Sequence, residues 1–186
     1  MAHPLDFVPG SVRKQVFFML LAGTLLLLIV FQVLNIPLIT AAAPGGMVTF
    51  ELAGNVKKSA DILLSWDERA DLYAAFGLGL DYLFMPFYAL TIAMTTLLAG
   101  SRHTSDWIRS LSTITGWGVL AAAVFDAIEN YALWKILQGT LAQPLPEMAA
   151  VCAQIKFGLI LTGLLYAVIS GLLLLMKKID ARASVA

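Results

Sequence analysis

Five side chains in this sequence could do chemistry, and each stands in a run apolar enough for a lipid bilayer: Asp81, Asp126, Glu129, Asn130 and Lys156. Carboxylates beside a lysine can hold a cationic or hydrogen-bonding group, relay a proton, or act as general acid and base. Tyr88, seven residues after Asp81, adds a hydroxyl on the same helical face. An acid at the centre of a membrane helix costs roughly 2.5–3.5 kcal/mol, and each Leu, Ile, Phe or Val returns only about 0.3–0.6 kcal/mol. The large apolar residues between Leu111 and Leu137 return about 3–5 kcal/mol against about 5–7 kcal/mol for Asp126 and Glu129. By itself this run is a marginal membrane helix, so its polar stripe must turn toward partners.

Helical spacing says where those partners lie. Asp126, Glu129 and Asn130 fall within one arc, shared with Ala122, Ala123 and Leu133. Asp81 shares a face with Ala74, Gly77, Met85, Tyr88, Thr95 and Ala99, and Lys156 with Cys152, Ala153, Gly163, Ala167, Ser170 and Gly171. Small residues at such spacing let membrane helices approach closely, which points all three polar faces into one bundle. Asp81, Glu129 and Lys156 also lie at similar depth, about 12–14 Å from the cap-side end of their runs. Gln32 and Asn35 stand above that level on the first run, whereas Lys135 projects from the opposite side of its helix and snorkels to the interface. One lysine facing Asp81, Asp126 and Glu129 leaves negative charge to be neutralised by protons, a cation or a cationic ligand group.

The elements that must position these groups are read from hydropathy. With 60% hydrophobic and 13% charged residues in 186, the chain lies outside the soluble globular range. Four runs suit membrane spans, at about 12–36, 72–99, 111–137 and 148–176, and they leave room for a single transmembrane domain, 1–186. The first run is longer than the roughly 7–15 apolar residues of a cleavable leader and is read as a span. Arg13, Lys14, Arg102, Arg109, Lys177, Lys178 and Arg182 all fall on one side if the spans alternate. The expected placement is an integral membrane protein of a bacterial inner membrane with both termini cytoplasmic.

Residues 37–71 form an outer cap between the first two spans. Leu38 to Thr40 and Met47 to Leu52 flank Ala43-Pro44-Gly45-Gly46, a pattern that predicts a short β-hairpin. Asn55 can cap a short amphipathic helix reaching Leu64, and Ser65-Trp66-Asp67-Glu68 matches a capping box that would start the second long helix at Trp66. Ser11 offers an N-cap for the first helix and Pro37 a stop; Pro86 is expected to kink the second, and Gly139 and Pro146 mark the end of the third and start of the fourth. The fold expected is therefore an all-α membrane protein: a four-helix transmembrane bundle with a small cap of hairpin and helix.

Cys152 is the only cysteine, which removes an intrachain disulfide, CxxC chemistry and a four-cysteine zinc site, and no metal site is expected. His3 and His103, the only histidines, lie outside the middle of any span, so haem or chlorophyll ligated by histidine within the bilayer is not expected and no cofactor is identifiable. No basic patch suggests nucleic acid. No motif matches a known family residue by residue, so no roles are carried over.

The polar groups could serve only to fix helix register. As a site, Asp81, Tyr88, Asp126, Glu129, Asn130 and Lys156 would bind a ligand. The function expected is that of a non-catalytic membrane protein, either an accessory subunit of a larger membrane assembly or a binder of a lipophilic small molecule with a polar head, with membrane lipid as a further partner. The alternative is a small membrane enzyme using Asp81, Asp126, Glu129 and Lys156 as general acid and base on a lipophilic substrate, for instance to move a double bond.

Overall fold

A computed structural model describes residues 2–183, with side chains placed up to residue 179; the side chain of Arg182 lies outside the described residues. Among the described residues six α-helices follow in order: α1 (Arg13–Asn35), α2 (Met47–Glu51), α3 (Val56–Ser65), α4 (Glu68–Gly100), α5 (Asp106–Leu137) and α6 (Leu145–Ala183), with a 3-10 turn at Ile36–Leu38. Helices α1, α4, α5 and α6 are long and apolar enough to cross a membrane. Among the described residues no β-strand forms.

Helices α4, α5 and α6 pack on one another along their lengths, and α1 lies against α4 with no extended interface to α6. The approach is set by small residues. A Cβ added at Gly163 of α6 would stand 2.6 Å from Val119 Cγ2 and 2.9 Å from Ile92 Cγ2, so α5 and α4 reach the α6 backbone there. On α6 the buried residues Cys152, Ala153, Lys156, Gly163 and Ser170 bear out the expected face, whereas Gly171 is open. Pro86 lies within α4, which runs as one helix on both sides of it.

The hairpin expected over residues 38–52 is corrected by the structure. Met47–Glu51 is a helical turn entered through Gly46 at φ 60°, and Asn35 Oδ1 accepts from the Met47 amide at 2.8 Å. Two strands of this length would leave both outer backbone edges unpaired, whereas the helical turn bonds internally and drives Phe50 into the cap core. There Phe50 meets the edge of Trp66 at 5.2 Å, and the Trp66 indole donates to Leu38 O at 3.0 Å. Leu38, Ala43 and Ile62 complete this core, which sits on Ala70, Ala74 and Leu78 of α4 and Leu133 and Ile136 of α5.

That inward turn of Trp66 also overrides the expected capping box. Trp66 is extended (φ −91°, ψ 141°), so α4 starts at Glu68 and its N-cap is Asp67, whose carboxylate accepts from the Ala70 amide at 2.8 Å. Ser65 instead closes α3 by donating to Ile62 O. Asn55 caps α3 as expected, accepting from Lys58 N, and the buried positions of this helix are Ser59 and Ile62. Ser11 makes no cap, because α1 begins behind Val12. Gly139 at φ 93° ends α5, and Pro146 occupies the first turn of α6.

At the opposite end from the cap, the segment before α1 docks between α4 and α5. Leu5 joins Ala93, Met94 and Leu97, and the Trp117 indole donates to Ala2 O at 3.2 Å. His3 is buried over Gly116, where any Cβ would collide with its ring. Its Nδ1 accepts from the Leu5 amide, so Nε2 carries the hydrogen that points at Thr96 Oγ1, 3.1 Å away.

Two outcomes follow from this packing. Gly163→Val should lower the apparent Tm in detergent, by an overpacking cost of about 1–3 kcal/mol, while Gly171→Val, with nothing within 4 Å of its new Cβ, should leave it unchanged. Burial holds the His3 pKa below its ordinary value, with Asp6 opposing and Arg13 reinforcing that shift. A histidine lowered on folding adds stability above its unfolded pKa of about 6.5 and withdraws it as the pH falls below that. Hydrogen exchange over residues 3–8, corrected for intrinsic rates, should therefore quicken between about pH 7.5 and 5.5 in the native protein, and His3→Gln should flatten that response.

Candidate functional site

The polar faces read from the sequence converge. Lys156 Nζ of α6 donates to Asp126 Oδ1 and Glu129 Oε1 of α5, each at 2.9 Å, with Glu129 Oε2 also 2.9 Å away. Tyr88 of α4 donates its hydroxyl to the other Asp126 oxygen, Oδ2, at 2.9 Å. Asn130 donates to Asp81 Oδ2 at 2.7 Å and weakly to Leu78 O. Asp126, Glu129, Asn130 and Lys156 are buried, at 2%, 0%, 2% and 6% exposure, and Asp81 is half-buried at the rim. Asp126 and Glu129 thus grip the lysine and Tyr88 backs Asp126, while Asn130, next to Glu129 on α5, forms a separate pair with Asp81 beside them.

A fourth carboxylate arrives from the cap. Glu51, the last residue of α2, holds Oε2 at 3.7 Å from Lys156 Nζ and is nearly buried. The hairpin reading hid it, since a strand would have assigned Glu51 by alternation and not by the docking of Phe50 beside it. The only signal was an acid next to an aromatic residue in an apolar loop. Removal from water raises the Glu51 pKa above the ordinary carboxylate range, against the attraction of Lys156 and with added repulsion from Asp126. Its Oε2 is buried and, among the described residues, accepts no hydrogen bond, with Lys156 Nζ at ion-pair distance only.

Asn35 does not join the cluster. It closes the cap to α1, accepting from Met47 N and donating to Gly45 O. Thr95 bonds its own helix at Thr91 O. Lys135 lies over the Tyr131 ring, 5.8 Å from its centroid, away from the acids. Cys152 is buried one turn from Lys156, and His103, with Nε2 2.8 Å from Ser170 Oγ, ties the α4–α5 turn to α6.

Beside the cluster lies a cavity of about 270 Å³. Asp81, Asn130, Lys156 and Glu51 form its polar wall, and the rest is largely apolar, with Phe31 and Leu34 from α1, Met47 from α2, Phe84 from α4 and Phe157 from α6. Gln32 also reaches it. On the side away from the cap the cluster rests on an apolar layer of Met85, Ala89, Ile92 and Val119, tightened by the Gly163 contact. The site is therefore sealed on that side and accessible from the other.

Comparison with known proteins finds no matching family model, no matching curated protein and no matching solved structure. The chemistry of the site has to be read from its own geometry.

Breaking a buried ion pair from one side strands the other charge at a cost of about 3–5 kcal/mol, whereas removing both partners restores much of it. Lys156→Met and Glu129→Gln should each depress the apparent Tm in detergent, with the lysine change the larger because it strands three acids. The double variant should melt above the sum of the two losses. Additive losses would mean that the two side chains do not stabilise one another.

Proposed function

We propose that this protein binds a lipophilic molecule by its polar head, at the level where Lys156 and the carboxylates meet. The observation that carries this reading is the cavity, which joins a polar wall to an apolar one within a helical membrane bundle. A network that served register alone would be dry and closed, yet here Asp81, Glu51 and Lys156 border open space. The volume lies just below the roughly 300–1,000 Å³ of small-molecule sites, enough for a head and the start of a chain. The positive flanks of the spans put the cap outside the cytoplasm, so the head would sit in the outer half of the bilayer.

Extraction in mild detergent, followed by mass spectrometry of everything that travels with the protein, tests the reading. One lipophilic compound in near-stoichiometric amount is expected. Leu34→Trp, which fills the cavity from α1, should lose most of that compound without lowering the Tm. A stoichiometric protein partner with no small molecule would overturn the reading and make this chain a subunit whose cluster is architectural.

A further inference from the structure

The charge balance at the cavity goes further than a polar head. Glu51, Asp126 and Glu129 surround one lysine, and Asp81, paired with Asn130, shares the cavity wall with it. Asp126 is satisfied, by Lys156 on one oxygen and Tyr88 on the other. The carboxylates at the cavity wall are not. Among the described residues Asp81 has the Asn130 amide as its one hydrogen-bond partner, and Glu51 Oε2, buried 3.7 Å from Lys156 Nζ, accepts no hydrogen bond. With Lys156 already held by Asp126 and Glu129, what this wall lacks is further donors of positive charge, since carboxylates only accept when ionised. The acids are spread around Lys156 and along Asn130, and among the described residues no three are placed to share a metal ion. An ammonium, whose N–H donors can each be aimed at a separate acceptor, suits such a wall better than a metal ion that needs several oxygens at one point.

The cavity also has a direction. Its α1 residues, Leu28, Phe31 and Leu34, and its α6 residue Phe157 belong to the two long helices that share no extended interface. Leu28, Val48 and Phe157 line the cavity and are 40%, 47% and 38% exposed, so they frame a mouth between α1, α2 and α6. Exposed apolar residues continue along both helices beside it: Leu25 and Ile29 on α1, and Leu161, Leu164 and Leu165 on α6. That mouth faces hydrocarbon and not water wherever α1 and α6 cross a bilayer.

We propose that the ligand is a membrane-borne amine with a single hydrocarbon chain, its ammonium against Asp81 and Glu51 and its chain leaving between α1 and α6 into the surrounding lipid. This rests on the binding function proposed above and names the ligand class and the route. The aromatic lining fits the same occupant, since Phe31, Phe84 and Tyr73 can pack on the methylenes next to the nitrogen and face its charge.

The test uses the full chain in phosphatidylcholine vesicles with tetradecylamine, tetradecanol and tetradecanoate, each carrying a diazirine near the head and photolabelled sites mapped by mass spectrometry. The amine should label Phe31, Leu34, Phe84 or Phe157 about tenfold more strongly than the alcohol or the anion, a difference of about 1.4 kcal/mol. Asp81→Asn and the cap variant Glu51→Gln should each reduce that labelling several-fold, and since Glu51 lies outside the packed long helices, its variant stands even where the other folds poorly. Butylamine, which offers the head without the chain, should fail to compete. Equal labelling by all three probes would overturn the amine while leaving a binder of lipophilic heads. Competition by butylamine would overturn the membrane route. Labelling confined to Leu25, Leu26 and Ile29, with none in the cavity for any probe, would overturn both this inference and the function it rests on.

Discussion

The buried ammonium of Lys156 is the constraint around which the rest of the structure is arranged. Taking such a charge out of water costs several kcal/mol even after relaxation, and it is tolerable only with close, well-oriented partners. Asp126 and Glu129, three residues apart on α5, lie one turn from each other and can meet the same lysine. That meeting fixes the rotation of α5 against α6 and their relative height together. Tyr88 then fixes α4, because its hydroxyl donates to the remaining Asp126 oxygen. Asn130, adjacent to Glu129, holds the cap-side half of α4 through Asp81.

Packing below the cluster serves the same end by different means. Gly163 lets Val119 and Ile92 reach the α6 backbone, and the apolar layer they build excludes water from the underside of the network. With water excluded the ion pairs are stronger, and the loss of any one partner is correspondingly more damaging. Above the cluster the seal is incomplete, since α1 leans on α4 through contacts such as Phe31 on Phe84 and Thr24 on Thr91 and leaves α6 uncovered. The cavity is the space that this one-sided packing leaves.

The cap completes the site instead of merely covering it. Phe50 and Trp66 anchor α2 in an apolar core shared with α4 and α5, and Asn35 ties the start of α2 to the end of α1. Glu51 is carried to Lys156 by that docking.

Most of the membrane architecture was legible in the residues alone. Four apolar runs, the small-residue faces of α4 and α6, and acids too costly to face lipid determined that Asp81, Asp126, Glu129 and Lys156 should turn inward at one level, because hydrocarbon penalises every other orientation. Asn55 as a cap and Gly139 as a stop were equally local, each set by a hydrogen bond or backbone angle within a few residues. What only the tertiary structure decided lies where partners are distant in sequence. Met47–Glu51 looks like a strand by composition and becomes a helix because Asn35 caps it and Trp66 receives Phe50. For the same reason Ser65 gives way to Asp67 as the cap of α4, and Glu51, which local pattern counts as one acid among several in an outer loop, becomes the fourth carboxylate of the site. Local propensity over five or six residues is worth less than one buried aromatic contact and one satisfied amide, so the cap, and with it the full charge of the site, was settled by tertiary packing.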